Sequence, residues 1–502
     1  MLKKLHGRKL AVCLIGGAMY ALFSAFGWQA EHGGVIWAGG ALLVAALLVW
    51  PIAALLAVLL ERGYTRALRR EKTFRAGRAF AFILACYVPM FCVAFPGSFA
   101  YDVPYQLRQV VTGAYSTHHP LLHTLALGGL LQLGRALGDI NLGAALYTAL
   151  QMALLAGCFA LTCGSIARQS GARAAKRAAV FFALYPLNMV MAVNATKDVL
   201  FGGFFALTLA LLNEIQEKPS RGLALKIAAC GALAVMLRNN MAYAALVWLA
   251  LLTIGLRKGE KSAALAMLLA LAVGLCGNAA LKRATRAENG DMSEMLSWPI
   301  QQLARARLYD EERLTDAEKE AIDELMPGEA WACYDPTISD PVKFEFDTQT
   351  FRADVKKYVG VWLSVGKKCA GTYLDATMAL TYPFFYPYRE YRVSGYYVQM
   401  GMSDAYDAGW CDFDPPESRS LFPQALASLS WRFGAKGAMQ IPVVGWLFNM
   451  GVIVWTMLFF ALREMYWGRW RRFGTALLPV LLWGTFLLGP VMAGRYIYPF
   501  VC

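Results

Sequence analysis

The chain has 502 residues, 58% of them hydrophobic and only 16% charged, with a mean hydropathy of +0.43. A soluble domain carries about 25% charged residues, so a single soluble globular fold is excluded. Repeated apolar runs of about 18 residues or more instead point to an all-α, multi-pass membrane protein embedded in a lipid bilayer. The net charge of +14 collects between those runs; it reads as membrane topology, and no nucleic-acid partner is expected.

The first residues, up to Lys9, are basic and precede an apolar run. No small-residue cleavage site followed by a soluble domain is evident, so the run is read as a retained first helix, not a signal peptide. Spans are predicted at 10–28 and 35–60. After them come Arg62, Arg66, Arg69, Arg70, Lys72, Arg75 and Arg78. A loop this basic belongs on the cytoplasmic side. The third span, 79–95, then leaves the cytoplasm, and 96–138 lies outside. Within that loop, 103–113 and 120–138 are read as helices along the outer surface. If 120–138 crossed, Arg168, Arg173, Lys176 and Arg177 would land outside, against the positive-inside rule. Pro120 suits a first helical turn, where its missing N–H costs nothing. Further spans are predicted at 140–166, 178–193, 199–215, 223–237, 241–256, 262–281, 443–462 and 475–492. This alternation keeps Lys218, Arg221, Lys226, Arg257, Lys258, Lys261, Arg463, Arg469, Arg471 and Arg472 inside. It gives about eleven spans and a cytoplasmic N-terminus. Three regions follow: a membrane domain at 1–281 with an outer catalytic loop at 96–138, a mainly helical extracytoplasmic segment at 282–442, and C-terminal membrane helices at 443–502.

The outer segment is too polar to sit in lipid. A helix is expected at 293–305, near the membrane. A short charged helix is expected at 314–325 with Thr315 as its N-cap, and another helix at 354–379. The stretch 382–397 is rich in Tyr, Phe and Pro; such clusters anchor in the headgroup belt or line sugar sites, with anchoring preferred. None of the 11 cysteines has CxxC or zinc-site spacing. Cys333, Cys369 and Cys411 fall in the outer segment, where a disulfide between some pair of them is open.

The residues able to carry chemistry cluster around the first outer loop. Asp102 follows the Pro96-Gly97 turn; it is either a general base or the N-cap of the helix that starts at Val103. His118, His119 and His123 come next. His119 and His123 are four apart and with Asp102 resemble a metal set, but the Glu of HExxH is missing. Polar site residues are therefore preferred, and a divalent metal is not favoured. Lys197 and Asp198 sit in one short outer turn, Arg238 in another, and Arg495 at the outer end of the last span. Basic residues at helix ends snorkel as a rule. Positive-inside makes them scarce in outer turns, however, and convergent cations are what a lipid-linked phosphate needs.

This arrangement resembles the GT-C class of integral membrane glycosyltransferases, which place an acidic residue and two membrane-parallel helices in a first large outer loop. It is more similar to a bacterial multi-pass family sharing several motifs. Here they are Pro96-Gly97 with Tyr101-Asp102 and Gln106, then Tyr115 to Thr124, Thr196-Lys197-Asp198, Leu296 to Arg305, and Arg495-Tyr496-Ile497-Tyr498-Pro499. The resemblance implies a polyprenyl-phosphate-linked sugar as donor and an extracytoplasmic acceptor, which is a cell-envelope glycan, lipid or protein. It implies Asp102 as catalytic base. It also implies substrate contacts from His118, His119, His123, Lys197, Asp198, Arg238, Gln301, Gln302 and Arg495. The competing readings are a lipid-linked sugar translocator and a non-catalytic assembly protein. Transporters set charges near mid-membrane, whereas here the polar groups gather at outer helix ends.

Overall fold

The computed structural model describes residues 5–32, 39–62, 74–99, 102–253, 260–387, 416–434 and 443–502. The basic loop residues Arg66, Arg69, Arg70 and Lys72, together with Tyr101, Arg257, Lys258, Cys411 and the aromatic stretch 388–397, lie outside the described residues. The first half of the chain is helical: α1 (Arg8–Glu31), α2 (Gly39–Arg62), α3 (Ala76–Ala94), α4 (Val103–Thr112), α5 (Leu121–Ala136), α6 (Ile140–Ser170), α7 (Ala172–Leu184), α8 (Pro186–Ala192), α9 (Lys197–Glu217), α10 (Arg221–Leu237), α11 (Asn239–Thr253) and α12 (Glu260–Thr285). The outer segment adds α13 (Ser297–Tyr309), α14 (Asp316–Leu325), α15 (Asp340–Phe344), α16 (Thr348–Ala353), α17 (Val355–Lys368), α18 (Ala370–Thr381) and α19 (Pro423–Gly434). The chain closes with α20 (Met450–Tyr466), α21 (Trp470–Leu487) and α22 (Tyr498–Val501). Among the described residues, β pairing is confined to isolated bridges. Six helices, α1, α2, α3, α6, α9 and α12, are long and apolar enough to cross a membrane. The protein is an all-α membrane protein.

Three sequence expectations change on folding. The run 178–193 is not one helix, because it breaks between Tyr185 and Pro186. A residue before proline is pushed out of the helical region, and Tyr185 is extended (φ −66°, ψ 119°). Proline also removes the donor for the carbonyl four residues back. That carbonyl belongs to Phe182, and it accepts from the Tyr87 hydroxyl at 2.9 Å and from Asn188 Nδ2 at 3.2 Å. Side chains thus replace the lost backbone bond in a place where water does not reach. The helix expected over 354–379 divides at Cys369 into α17 and α18. The turn lets Tyr373 fold back, stack on Trp362 at 6.2 Å and donate its hydroxyl to the Trp362 carbonyl at 3.0 Å. Finally, Tyr382, Phe384, Phe385 and Tyr386 are buried in the main core; they are packing residues, not headgroup anchors or sugar contacts. Thr315 does cap α14, in a reciprocal capping box with Glu318. Cys333 and Cys369 are free thiols.

Packing positions the loop 96–138. The main core joins α3, α6 to α12 and the C-terminal helices, while the outer segment has its own core around Ile300, Leu303, Ile322, Leu325 and Val365. A third, small cluster of Phe99, Val103, Leu107, Leu127, Leu131, Ala144, Tyr147 and Ala195 seats α4 and α5 on α6. There α5 and α6 meet backbone to backbone. A Cβ on Gly134 would stand 2.3 Å from the Gly143 nitrogen, and one on Gly143 would stand 2.3 Å from the Leu130 carbonyl oxygen. Gly97, at φ +143°, lets the chain pass Thr148, whose hydroxyl a Cβ would meet at 2.2 Å. The strand-like bridge from Ser98 to Asn194 then ties the loop to the turn before α9, with Ser98 N donating to Val193 at 2.9 Å and Ala195 N to Ser98 at 2.8 Å. The outer segment closes on the other side. Glu288 pairs with Tyr115 and Thr117, and Ser339 N donates to the Pro490 carbonyl at 2.8 Å, five residues before Arg495.

Candidate functional site

The ends of α4, α9 and α10 and the start of the 495–499 motif meet in one cluster of charges. Thr196 caps α9 through its side chain, which fixes Lys197 in the first turn. Lys197 Nζ donates to Asp102 Oδ2 at 2.5 Å, and Arg495 Nη2 donates to Asp102 Oδ1 at 3.1 Å. Arg495 Nε also stands 3.8 Å from Asp198 Oδ2, and Arg238 pairs with Asp198 Oδ1. The Arg238 guanidinium lies 4.4 Å from the Phe486 ring centre and 4.5 Å from that of Tyr496, whose ring also faces Arg495 at 5.4 Å. Aromatic faces hold desolvated cations in this way. Three cations and two carboxylates therefore share the site, with one positive charge in excess. Side-chain exposure rises from 0% at Asp198 to 21% at Asp102, so Asp102 is the more accessible of the two acids.

Asp102 does not cap α4 with its side chain, contrary to the capping alternative. A cap is worth about 1 kcal/mol, while a hydrogen bond to a charged group is worth about 1.5–3. Two such bonds outweigh the cap, and the carboxylate turns to Lys197 and Arg495. Burial works against its charge, but Arg495 and Lys197 overcome that and hold its carboxyl well below the usual carboxylate range. His119 is buried, with Nδ1 3.8 Å from Asp102 Oδ2. Burial holds its imidazole well below the ordinary histidine value, against the pull of Asp102, so the ring is neutral.

His123 has a different position and role. Its Nδ1 lies 3.0 Å from Gln106 Nε2, and its Nε2 lies 2.8 Å from the Tyr147 hydroxyl. Tyr147 donates to Gln151 Oε1 at 3.0 Å, and Gln151 Nε2 donates to the carbonyls of Ala192 (3.0 Å) and Asn194 (2.7 Å). Donors and acceptors pair without conflict when Gln106 donates to His123 and His123 donates to Tyr147. Burial lowers His123 to about 3, which keeps it in that neutral form. The chain of bonds links α4 to the turn that carries Lys197. His123 is therefore a positioning residue with both ring nitrogens engaged.

The remaining candidates lie elsewhere. His118 is exposed, packs edge-on against His119 at 4.5 Å and lies beside Gly290. Gln301 donates to the Asp335 and Ile338 carbonyls, both at 2.8 Å. Gln302 bonds Thr377 at 2.9 Å and accepts from Trp362 at 2.8 Å. Both glutamines hold the outer segment together. The Gln301 amide nitrogen and both ends of the Gln302 amide are committed to that segment's own backbone and side chains, while Gln301 Oε1 is buried with no hydrogen-bond partner among the described residues.

The charged groups of the site are already paired with one another. Each carboxylate already faces two cations, which would repel a third, and His123 has no nitrogen to give. Among the described residues, no three His, Cys, Asp or Glu side chains gather at one point.

Sequence reasoning missed Tyr147, Gln151, Phe486 and Tyr496 as part of the site. Two polar residues four apart inside an apolar run were the available signal for the first pair. They face inward, while Leu146, Leu150 and Leu154 on the same helix are exposed.

Residues 109–502 match the sequence model of DUF6020, a family of unknown function. The match begins after Asp102 and takes in His118, His119, His123, Lys197, Asp198, Arg238 and Arg495. No curated protein and no solved structure matches the chain.

Proposed function

The chain belongs to the DUF6020 family, and we propose that it is a GT-C-like membrane glycosyltransferase. It moves a sugar from a polyprenyl phosphate to an acceptor hydroxyl outside the cell membrane. The observation that carries this reading is the convergence of Lys197 and Arg495 on Asp102, and of Arg238 and Arg495 on the neighbouring Asp198, at the ends of apolar helices. With about eleven spans and a cytoplasmic N-terminus, those ends face the extracytoplasmic side. The cations suit a phosphate headgroup, and the excess positive charge favours an anion.

In the reaction, Asp102 takes the proton from the acceptor hydroxyl. The acceptor oxygen bonds to the anomeric carbon as the bond from that carbon to the phosphate oxygen breaks, through an oxocarbenium-like state. The phosphate leaves with the bonding electrons, and Lys197, Arg495 and Arg238 stabilise the charge that builds on it. His119, neutral and beside Asp102, orients the acceptor. No step passes through a metal ion.

The test is release of polyprenyl phosphate by purified protein given a polyprenyl-phosphate sugar. Asp102→Asn is expected to lower transfer about 10²–10⁴-fold, the scale of general-base catalysis. The variant's melting temperature is measured alongside, because Asn leaves two cations unneutralised. Wild-type transfer by a folded Asp102→Asn protein would refute the base. Absence of polyprenyl phosphate release from the wild-type protein with any donor sugar would refute the glycosyltransferase reading.

A further inference from the structure

We propose that Asp102 is a latch as well as a base: its carboxylate occupies Lys197 and Arg495 until a lipid-linked phosphate group takes both cations from it and releases it. This rests on the reading above that the site accepts a lipid phosphate.

The geometry has the required asymmetry. Asp102 sets its two oxygens on two different cations, at 2.5 Å and 3.1 Å, as two oxygens of one phosphate would. The donor's phosphodiester has two free oxygens to span the same two cations, and its phosphate gains further charge and a third free oxygen as the bond to the sugar breaks. Asp198 is sealed at 0% exposure between Arg238 and Arg495, which keeps those two cations in place when Asp102 lets go. Asp102 itself is the most exposed of the five charged side chains and makes no side-chain bond to its own helix. Among the described residues, no bond to the first turn of α4 holds its side chain once its partners are taken.

The released carboxylate has somewhere to go. His119 Nδ1 is buried and has no hydrogen-bond partner among the described residues. It stands 3.8 Å from Asp102 Oδ2. A shift of about 1 Å brings the two to hydrogen-bond distance. A carboxylate clasped by two cations is a poor base, whereas one resting on a neutral histidine is a better one. The latch thus keeps the base quiet until the donor phosphate is in place, which limits sugar loss to water.

Binding of farnesyl phosphate and of inorganic phosphate to the detergent-purified full chain tests this. Asp102→Asn is expected to bind farnesyl phosphate about tenfold more tightly than wild type, about 1.4 kcal/mol, because the internal competitor is gone. Asp198→Asn is expected to bind it more weakly, because Arg238 and Arg495 lose their anchor. If both variants bind more tightly, the effect is general charge repulsion and the latch is overturned. It is overturned equally if Asp102→Asn binds no better than wild type. Hydrogen exchange on the wild-type protein decides the matter even if Asp102→Asn does not fold. Farnesyl phosphate should speed exchange at Gln106 and Leu107 in the first turn of α4 while slowing it in the first turn of α9. Slowing at both would mean that phosphate adds to the cluster without displacing Asp102. If inorganic phosphate binds as tightly as farnesyl phosphate, the latch stands and the lipid donor does not. A latch with no sugar transfer likewise separates this inference from the enzyme reading.

Discussion

Gln151→Leu is the sharpest test of how the site is held. The substitution keeps side-chain volume in a residue that is almost wholly buried. It removes two donated bonds, to Ala192 and Asn194, and one accepted from Tyr147. The Asn194 carbonyl keeps a bond from Thr196 N at 2.8 Å, and the Tyr147 hydroxyl keeps His123. Among the described residues, the Ala192 carbonyl is left with no comparable partner. The two lost bonds whose partners keep another contact cost about 1 kcal/mol each, and the orphaned Ala192 carbonyl costs about 1–3, so the expected destabilisation is about 3–5 kcal/mol. Thermal unfolding in detergent measures it, set against Tyr147→Phe and the double variant. Because the two side chains share one chain of bonds, their effects should fall short of additivity by about 0.5–3 kcal/mol. Amide exchange across Asn194–Lys197 should rise in each single variant. Simple additivity, or a Gln151→Leu melting curve that overlays wild type, would refute the idea that this chain fixes the Lys197 turn.

Two further predictions concern pH and topology. His119 and His123 are held below the ordinary histidine value, so the unfolded chain binds their protons first as pH falls. Stability should therefore decline below about pH 6.5, by up to about 1.4 kcal/mol per pH unit for each histidine, and the share of His123 ends at its own value of about 3. Asp102 is shifted the other way relative to its charge: its contribution is present above about pH 3.9 and is lost only as pH falls through its lower folded value. It adds no slope between pH 4.5 and 6.5, so His123→Gln should flatten that stretch; an unchanged slope would contradict the neutral, buried ring. For topology, Leu137→Cys and Ala114→Cys in a background without native cysteines should react with an impermeant thiol reagent added outside. Lys218→Cys should react only after lysis. Protection of Leu137→Cys in intact cells would mean that α5 crosses the membrane.

The sequence determined the material of this protein and the residues of its candidate site. Apolar runs and scarce charge required helices in a membrane, since isolated spans must satisfy their own backbone. Local chemistry was equally legible at Thr315, whose capping box depends on four consecutive residues. The charged candidates Asp102, Lys197, Asp198, Arg238 and Arg495 stood out because each interrupts an apolar context, and the fold brings all five together. Which charge meets which was not legible, because the partners are separated by up to several hundred residues and meet only through helix packing. The Gly134–Gly143 contact and the Ser98–Asn194 bridge set that meeting. Tertiary structure decided against local preference at Asp102, which left its cap for two cations. Those partners lie 95 and 393 residues away and are worth more than the cap they displace, so a local reading of the sequence cannot weigh them. The break at Tyr185 and Pro186 is local by contrast, and tertiary structure supplies only the Tyr87 hydroxyl that helps to replace the lost bond.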